Sequence, residues 1–436
     1  MTTDPIAIII LIGVFAILMA IKMPIAFSLA LAAFSSALYF GHGDRQLPII
    51  VQQFVSGVRP FNFMAIPFFI IAGNLMGEGG IGKRMIDLAD AFVGRVRGGL
   101  AMVNVLSSQF FGTVSGSVVA DTSALGTILI PMMEKQGYDK EFATANTVTS
   151  SIVGLLLPPS HNMIIFAMAA GGGISIAALF LAGIVPALVL GAALMLVSFL
   201  ISVKKKYPKG KKYTLMQTIR LMGDGILAIL TVVIIVGGIS TGRFTATEAS
   251  VIAVIYAFIV TFFIYREIPL SRFWVIMKKS IRTVAMVMSI IAASSAFAYM
   301  MTILRVPDLV TNAILTITEN PILIMLLINL ILLVLGLVMD MAPMIMIATP
   351  ILLPVATDVV GMDPVHFGVV LLLNLGISLI TPPVGTVLFV GCSIGRTKIE
   401  DVMKPLLPYY LIMILVLLMV TYLPFISLWL PSVALG

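Results

Sequence analysis

Apolar residues run along this chain in long unbroken stretches, not in alternation. Leu, Ile, Met and Ala dominate runs that approach the ~20 residues a helix needs to cross a hydrocarbon core. Segments of ~10 alternating residues, the mark of a membrane strand barrel, do not occur in these runs. The pattern therefore predicts an all-α membrane protein. Its spans fall at residues 5–22, 24–40, 61–77, 143–170 and 176–202, and again at 224–241, 247–265, 283–304, 366–394 and 405–430. Two further apolar stretches, 100–132 and 321–360, carry small and polar residues at their centres. Residues 78–99 set Lys83, Arg84, Arg95 and Arg97 among apolar positions, which suits an amphipathic helix lying along a membrane surface. Residues 305–320 are expected to lie along the opposite surface.

Charge orients these elements. Hydrophobic residues make up 60% of the 436 and charged residues only 10%, against about 25% charged in a soluble domain. The net charge of +7 does not indicate nucleic acid, because the basic residues gather in a few short loops. The run from Lys204 to Lys212 has no acid near it and marks the cytoplasmic side. Counting outward from it, a single crossing at 100–132 would put the next charged loop on the wrong side. A re-entrant hairpin entering and leaving from the cytoplasm restores the count. The matching hairpin at 321–360 then enters from outside, and both termini are expected to be periplasmic. Asp4 stands where a signal peptide would be basic, so the first apolar run is expected to be a retained span.

The basic run also divides the chain near its middle. Pro159 and Pro383 lie 224 positions apart, as do Gly112 and Gly336 and as do Asp139 and Asp363; Pro131 and Pro354 miss that offset by one. Each half holds five crossings, an odd number, so the second copy is expected upside down. Chance coincidence of Pro and Gly would not keep four landmarks and the order of the spans together. The expected organisation is a first inverted repeat at 1–203, a basic linker at 204–223 and a second repeat at 224–436. Inverted repeats with discontinuous helices at the midplane are the mark of secondary transporters.

The polar centres are where chemistry is expected. Backbone that leaves helical geometry inside a bilayer survives only when buried or facing a watery cavity. Its free carbonyls then suit cations and its free N–H groups suit anions. The first centre reads Phe111-Gly112-Thr113-Val114-Ser115-Gly116-Ser117, followed by Asp121. The span facing it is opened by Pro158-Pro159, which remove two donors, and continues Ser160-His161-Asn162. The second centre runs from Gly336 through Asp340 to Pro343, with Thr381-Pro382-Pro383-Val384-Gly385-Thr386 in its broken span. Asp340 is costly in so apolar a segment unless neutralised by a bound ion or proton. Blander roles compete for each residue: helix packing for Gly112, backbone bonding for the hydroxyls, a lining role for His161, capping for Asp121. The recurrence of a polar centre and a double proline in both halves favours the functional reading.

Other classes find little support. Neither a serine-hydrolase elbow, a zinc-protease helix nor a phosphate-binding loop occurs, which argues against an enzyme or an ATP-driven pump. The single cysteine, Cys392, and the scattered His42, His161 and His366 offer no disulfide, metal cluster or cofactor site.

With these residues in hand, the sequence resembles the large membrane subunit of tripartite ATP-independent periplasmic (TRAP) transporters. The resemblance extends over essentially the whole chain. It is carried by SGSVVADTSALGTILIPMM (115–133), LLLPPSHNMIIFAMAAGGGISIAALFLAGIVPA (155–187), IRTVAMVMSIIAASSAFAYM (281–300), TPILLP (349–354) and DPVHFGVVLLLNLGISLITPPVGTVLFV (363–390). It implies an elevator-type fold with two hairpins and two broken helices in a mobile domain, coupled to sodium. It also implies two partners: a periplasmic substrate-binding protein and a small four-helix membrane subunit, expected here as a separate chain. Carried over, the first sodium site would use Gly112, Ser115, Ser117 and the Pro158 region. The second would use Gly336, Asp340, Thr381 and Gly385. The carboxylate of a small organic acid would lie near Ser117, Ser160, Asn162 and Thr386, with C4-dicarboxylates favoured over sialic acids. No cofactor is implied beyond the coupling ion. A stand-alone sodium–carboxylate symporter of similar architecture is the alternative, and an uncoupled channel or scaffold is the alternative of a different class.

Overall fold

Local signals start many of the helices. Asp4, Asn320 and Asp363 each cap a helix whose next residue is proline, the residue best suited to a first helical position. Thr214 with Gln217 and Thr245 with Glu248 close complete capping boxes. The computed structural model describes residues 4–40, 46–210 and 213–435. His42, Lys211 and Lys212 lie outside the described residues.

The described part of the first half holds α1 (Pro5–Ala20), α2 (Ile25–Phe40), α3 (Gln46–Ser56), α4 (Ala65–Glu78), α5 (Ile81–Val93), α6 (Gly99–Ser115), α7 (Val118–Lys135), α8 (Lys140–Ser150), α9 (His161–Ala169) and α10 (Ile176–Lys204). The second half holds α11 (Leu215–Ser240), α12 (Ala246–Ile259), α13 (Phe273–Ile303), α14 (Val306–Ile317), α15 (Pro321–Gly336), α16 (Met341–Pro354), α17 (Pro364–Ser378), α18 (Thr386–Gly395), α19 (Ile399–Tyr422) and α20 (Pro424–Leu435). Apart from one isolated bridge between Arg97 and Lys209, no β pairing occurs among the described residues. Six helical segments are long and apolar enough to cross a membrane, seven if the bent α11 is counted as one span.

Polarity is distributed as a membrane protein requires. Large apolar side chains face outward, among them Ile9 on α1, Leu200 on α10 and Leu411 on α19, each more than half exposed. Asn104, Asp121, Asn146 and Asn374 are inside. Lipid offers no reward for sending apolar groups inward, whereas an unpaired polar group in it is costly. Packing is reciprocal between the halves. The second member of one helix pair, α16, lies on α9, while α7 lies on α18 and α8. The long α10 crosses α6, α17, α19 and α20 and joins both sets. A separate apolar cluster holds α1, α2, Ile50 of α3 and the end of α13.

Three details depart from the sequence reading. The amphipathic α3 was not anticipated; its Ile50 is buried while Val51 and Val55 are exposed. Helices α11 and α13 begin between two and three turns before the apolar windows that marked them, because Thr214 caps the first and a tight 3-10 turn at Leu270–Arg272 starts the second. The single span expected at 405–430 is two helices. Pro424 lacks an N–H and bars its predecessor from helical geometry, and Leu423 is extended at φ −118°, ψ 82°.

Candidate functional site

The first apolar stretch with a polar centre folds as two helices, α6 and α7, that pack on each other around Gly116-Ser117. Gly116 sits at φ +58°, and a Cβ there would come within 2.5 Å of the Pro159 carbonyl oxygen. Both facts demand glycine. Ser117 then caps α7, its hydroxyl accepting the Ala120 N–H at 3.4 Å. Ser115 accepts the Ser117 N–H at 3.5 Å. One turn earlier, Gly112 lies directly on Gly154: a Cβ on Gly112 would be 2.1 Å from the Gly154 Cα.

Gly154 belongs to the interruption between α8 and α9. A 3-10 turn spans Ser151–Leu155, and the chain then passes through the cis Pro158-Pro159 bond to Ser160. All of residues 151–160 are buried. The polar cores of the two elements meet, with the Thr122 hydroxyl donating to that of Ser151 at 2.8 Å. His161 opens α9 with its Nδ1 facing Gly116, 3.6 Å from where a Cβ would stand.

The second half repeats the arrangement in looser form. Helices α15 and α16 are joined by Leu337–Asp340, and Gly336 approaches α17 so closely that a Cβ would meet the Ser378 hydroxyl at 2.4 Å. Ser378 is the counterpart of Gly154 at the offset of 224. The break between α17 and α18 contains the second cis bond, Pro382-Pro383, and Gly385 at φ +28°. Its carbonyls are partly used. The Val387 N–H donates to the Leu379 oxygen across the break, and the Tyr410 hydroxyl donates to the Ile380 oxygen at 2.5 Å. The Thr381 hydroxyl donates to the Ile377 oxygen at 2.8 Å, leaving its own lone pairs available. Here Pro383 is exposed and Asp340 half-buried, so this break is more open than the first. The Asp340 side chain does not cap α16.

The hydrogen-bond ledger is the sharpest guide to chemistry. Buried polar atoms nearly always find partners, and one that does not asks for an ion, a water or a ligand. The hydroxyls of Ser160 and Thr386 are buried without partners, one at each break. So are both carboxylate oxygens of Asp121, a residue only 1% exposed on the first turn of α7. The sequence reading had named Asp121 without placing it in a site; its isolation is visible only once α6, with Ser108 beside it, closes over it. Hydroxyls, carbonyls and a carboxylate are ligands for a hard monovalent or divalent cation. Among the described residues no group of three or more His, Cys, Asp or Glu side chains could hold a metal ion. No side chain caps α9 or α18, and N–H groups left open at a helix start suit an anion.

Gly112, Ser115, Ser117, Pro158 and Ser160 thus gather where α6–α7 meets the first break, with Asn162 buried on the first turn of α9. Gly336 lies against Ser378 at the end of α17, Thr381 and Gly385 follow in the second break and Thr386 opens α18, with Asp340 at the end of the α15–α16 connection. YgiK of Salmonella typhimurium is 44% identical over 98% of this chain and 97% of its own length. The 2,3-diketo-L-gulonate TRAP transporter large permease protein YiaN of Escherichia coli is 36% identical over 93% and 94%. Other relatives are named for C4-dicarboxylate, sialic acid and isethionate, and this chain spans 66% of the length of the last, a permease named DctMQ. Among solved structures, the YdaH transporter of Alcanivorax borkumensis shares the fold with a TM-score of 0.66 over 94% of this chain and 97% of that one, at 13% identity. The model of the tripartite ATP-independent periplasmic transporter DctM component matches residues 12–426, and the chain belongs to that family as a multi-pass membrane protein.

Proposed function

We propose that this permease imports a small organic acid anion by coupling its movement to sodium. The observation that carries the reading is the paired arrangement of helix junctions on proline-broken helices, with a buried unpartnered Asp121 at one and Asp340 at the other. In this reading the first sodium ion is held by Ser115, Ser117, Asp121 and carbonyls ahead of Pro158, with Gly112 allowing α6 to approach. The second is held by Asp340, Thr381 and carbonyls around Gly385, with Gly336 in the role of Gly112. The substrate carboxylate lies between them, on Ser117, Ser160, Asn162, Thr386 and the N–H groups that open α9 and α18.

The two halves are read as inverted repeats, and the pairs α6–α7 and α15–α16 as re-entrant hairpins. They move with the broken helices as one elevator body past a scaffold built from α1–α4 and α11–α13. From its basic residues we read the linker as cytoplasmic, with both ends of the chain outside a bacterial inner membrane. A periplasmic binding protein delivers substrate, and a small membrane subunit widens the scaffold; the extra length of the DctMQ relative leaves room for such a part within one chain. The relatives' named substrates are organic acids, and we favour a C4-dicarboxylate among them.

The test is uptake into proteoliposomes holding the permease, the small subunit and the binding protein loaded with a C4-dicarboxylate. An inward sodium gradient should drive saturable accumulation. Equal uptake with potassium in place of sodium would refute the coupling, and full activity without the binding protein would point to a stand-alone symporter.

A further inference from the structure

The basic run after α10 is folded against the protein. The Gly98 N–H donates to the Pro208 carbonyl at 3.0 Å, beside the antiparallel bridge of Arg97 with Lys209. Gly210 lies on Gly94, where a Cβ would meet the Gly94 oxygen at 2.1 Å. The Tyr207 ring is buried against Tyr138 and Phe142, with centroids 4.4 and 5.3 Å away. Its hydroxyl donates to Asp139 at 2.8 Å, and Lys205 pairs with the same carboxylate. Tyr213 continues the strap by donating to Asp90 at 2.5 Å.

This strap fixes two basic segments side by side. Arg95 and Arg97 come from the α5–α6 connection, Lys204 from the end of α10, and Lys206 and Lys209 from the strap; all five are exposed. None of the five has an acidic partner within 4 Å among the described residues, since Asp139 is taken by Lys205 and Asp90 by Tyr213. Five like charges held together by packing repel one another and call for an anionic counterpart. The location names it. Lys204 ends α10 and Gly99 starts α6, so the patch sits at the level where membrane helices leave the hydrocarbon. Phe92 and Val96 stand exposed beside it, ready to meet acyl chains.

We propose that Arg95, Arg97, Lys204, Lys206 and Lys209 form a fixed site for the phosphate headgroup of an anionic phospholipid in the adjoining leaflet. Each basic residue near a charged leaflet contributes a free energy equivalent to about fivefold in affinity.

The experiment places a reporter at the patch. Phe92→Trp is made in the full chain with Trp274→Phe and Trp429→Phe, so that the new indole alone fluoresces. The protein is reconstituted in mixtures of brominated phosphatidylglycerol and phosphatidylcholine, and quenching gives the relative affinity of the lipid beside residue 92. Phosphatidylglycerol should be preferred. The preference should fall at least tenfold when Arg95→Gln, Arg97→Gln and Lys209→Gln are combined. Tyr207→Ala keeps every charge but unpins the strap and should also lower it; if that variant does not fold, Tyr207→Phe, which removes only the hydroxyl bond to Asp139, serves the same purpose. Equal quenching by the two lipids would overturn the site. A preference untouched by unpinning the strap would overturn its fixed geometry and leave only diffuse attraction.

Discussion

The contact between Gly112 and Gly154 offers the most direct test of how the proposed sodium site is held. Gly112→Ala places a methyl 2.1 Å from the Gly154 Cα, 3.1 Å from its carbonyl carbon and 3.2 Å from its nitrogen. All three are backbone atoms, so no side chain can swing aside. Restoring ordinary contact near 3.5–4 Å requires α6 to retreat from the broken helix by well over 1 Å. Overpacking of this kind costs about 1–3 kcal/mol. The larger effect should be on ion binding, because Ser115 and Ser117 sit at the end of the displaced helix and a shift of about 1 Å in a binding constellation can cost ~100-fold. The expected outcome is a lower thermal midpoint in detergent and a sodium half-saturation for uptake raised at least tenfold. Gly223→Ala is the control, since nothing lies within 4 Å of a Cβ there, and it should leave both quantities unchanged or slightly improved. Should Gly112→Ala transport with the wild-type sodium dependence, the close contact would not position the ligands and the site would have to be sought elsewhere.

Other perturbations probe different parts of the molecule. Asp340→Ala should reduce sodium-driven uptake more than tenfold while the purified protein remains folded; wild-type rates would remove Asp340 from the second site. Asp121→Asn replaces a buried carboxyl that has no hydrogen-bond partner by an amide of the same size, so it should leave stability close to that of the wild type while weakening sodium activation; a strongly destabilised variant would mark Asp121 as structural. Gly80→Ala should destabilise by about 1–2 kcal/mol from its left-handed backbone alone, at φ +74°. Its methyl would also displace Glu267 from Arg84, whose guanidinium stacks 3.6 Å over Tyr265, so combining it with Arg84→Ala should cost less than the two separate losses in thermal midpoint. Lys205, and to a lesser degree Tyr207, hold the Asp139 carboxyl below its ordinary value of 3.8. That stabilisation is present above pH 3.8 and is lost as pH falls through the folded value. Asp139→Asn should therefore be less stable than wild type at neutral pH, by no more than ~1 kcal/mol for so exposed a pair, and the two should converge in acid.

What could be read from the sequence followed from local chemistry. Double prolines must open a helix, and the helices stop at Ser150 and Ser378, before the expected breaks. The polar run ending at Gly116-Ser117 marks where α6 gives way to α7. The amphipathic reading of 78–99 corresponds to α5, whose Met85, Ile86 and Leu88 turn inward while Lys83 stays exposed. Helix α3 escaped notice because Pro48 and three glutamines dilute its apolar face. The break at Leu423 escaped because hydropathy windows do not weigh one proline within an apolar run. The site was less legible than the fold, because its defining contacts are long-range. That Gly112 meets Gly154, or that Asp121 is left alone, depends on which helices are neighbours in space, and no local pattern encodes it.

The charge of the proposed site has a consequence for the order of events. No lysine or arginine occurs in either junction or either break, whereas each half contributes one carboxylate, Asp121 or Asp340. With both carboxylates ionised, an incoming organic anion would meet two negative charges with only hydroxyls and N–H groups in its favour. At an effective dielectric constant of 20, two like charges about 8 Å apart repel by roughly 2 kcal/mol, so two carboxylates together would weaken anion binding by about a thousandfold. Sodium bound at each carboxylate removes that penalty and adds positive charge next to the anion. The coupling proposed here therefore needs no separate gate for its energetics: the empty site rejects the substrate and the sodium-loaded site accepts it. It follows that substrate affinity measured on the purified permease should rise steeply with sodium, with a slope that falls when either aspartate is made neutral. If affinity for the anion were instead independent of sodium, the two carboxylates would be playing no part in coupling.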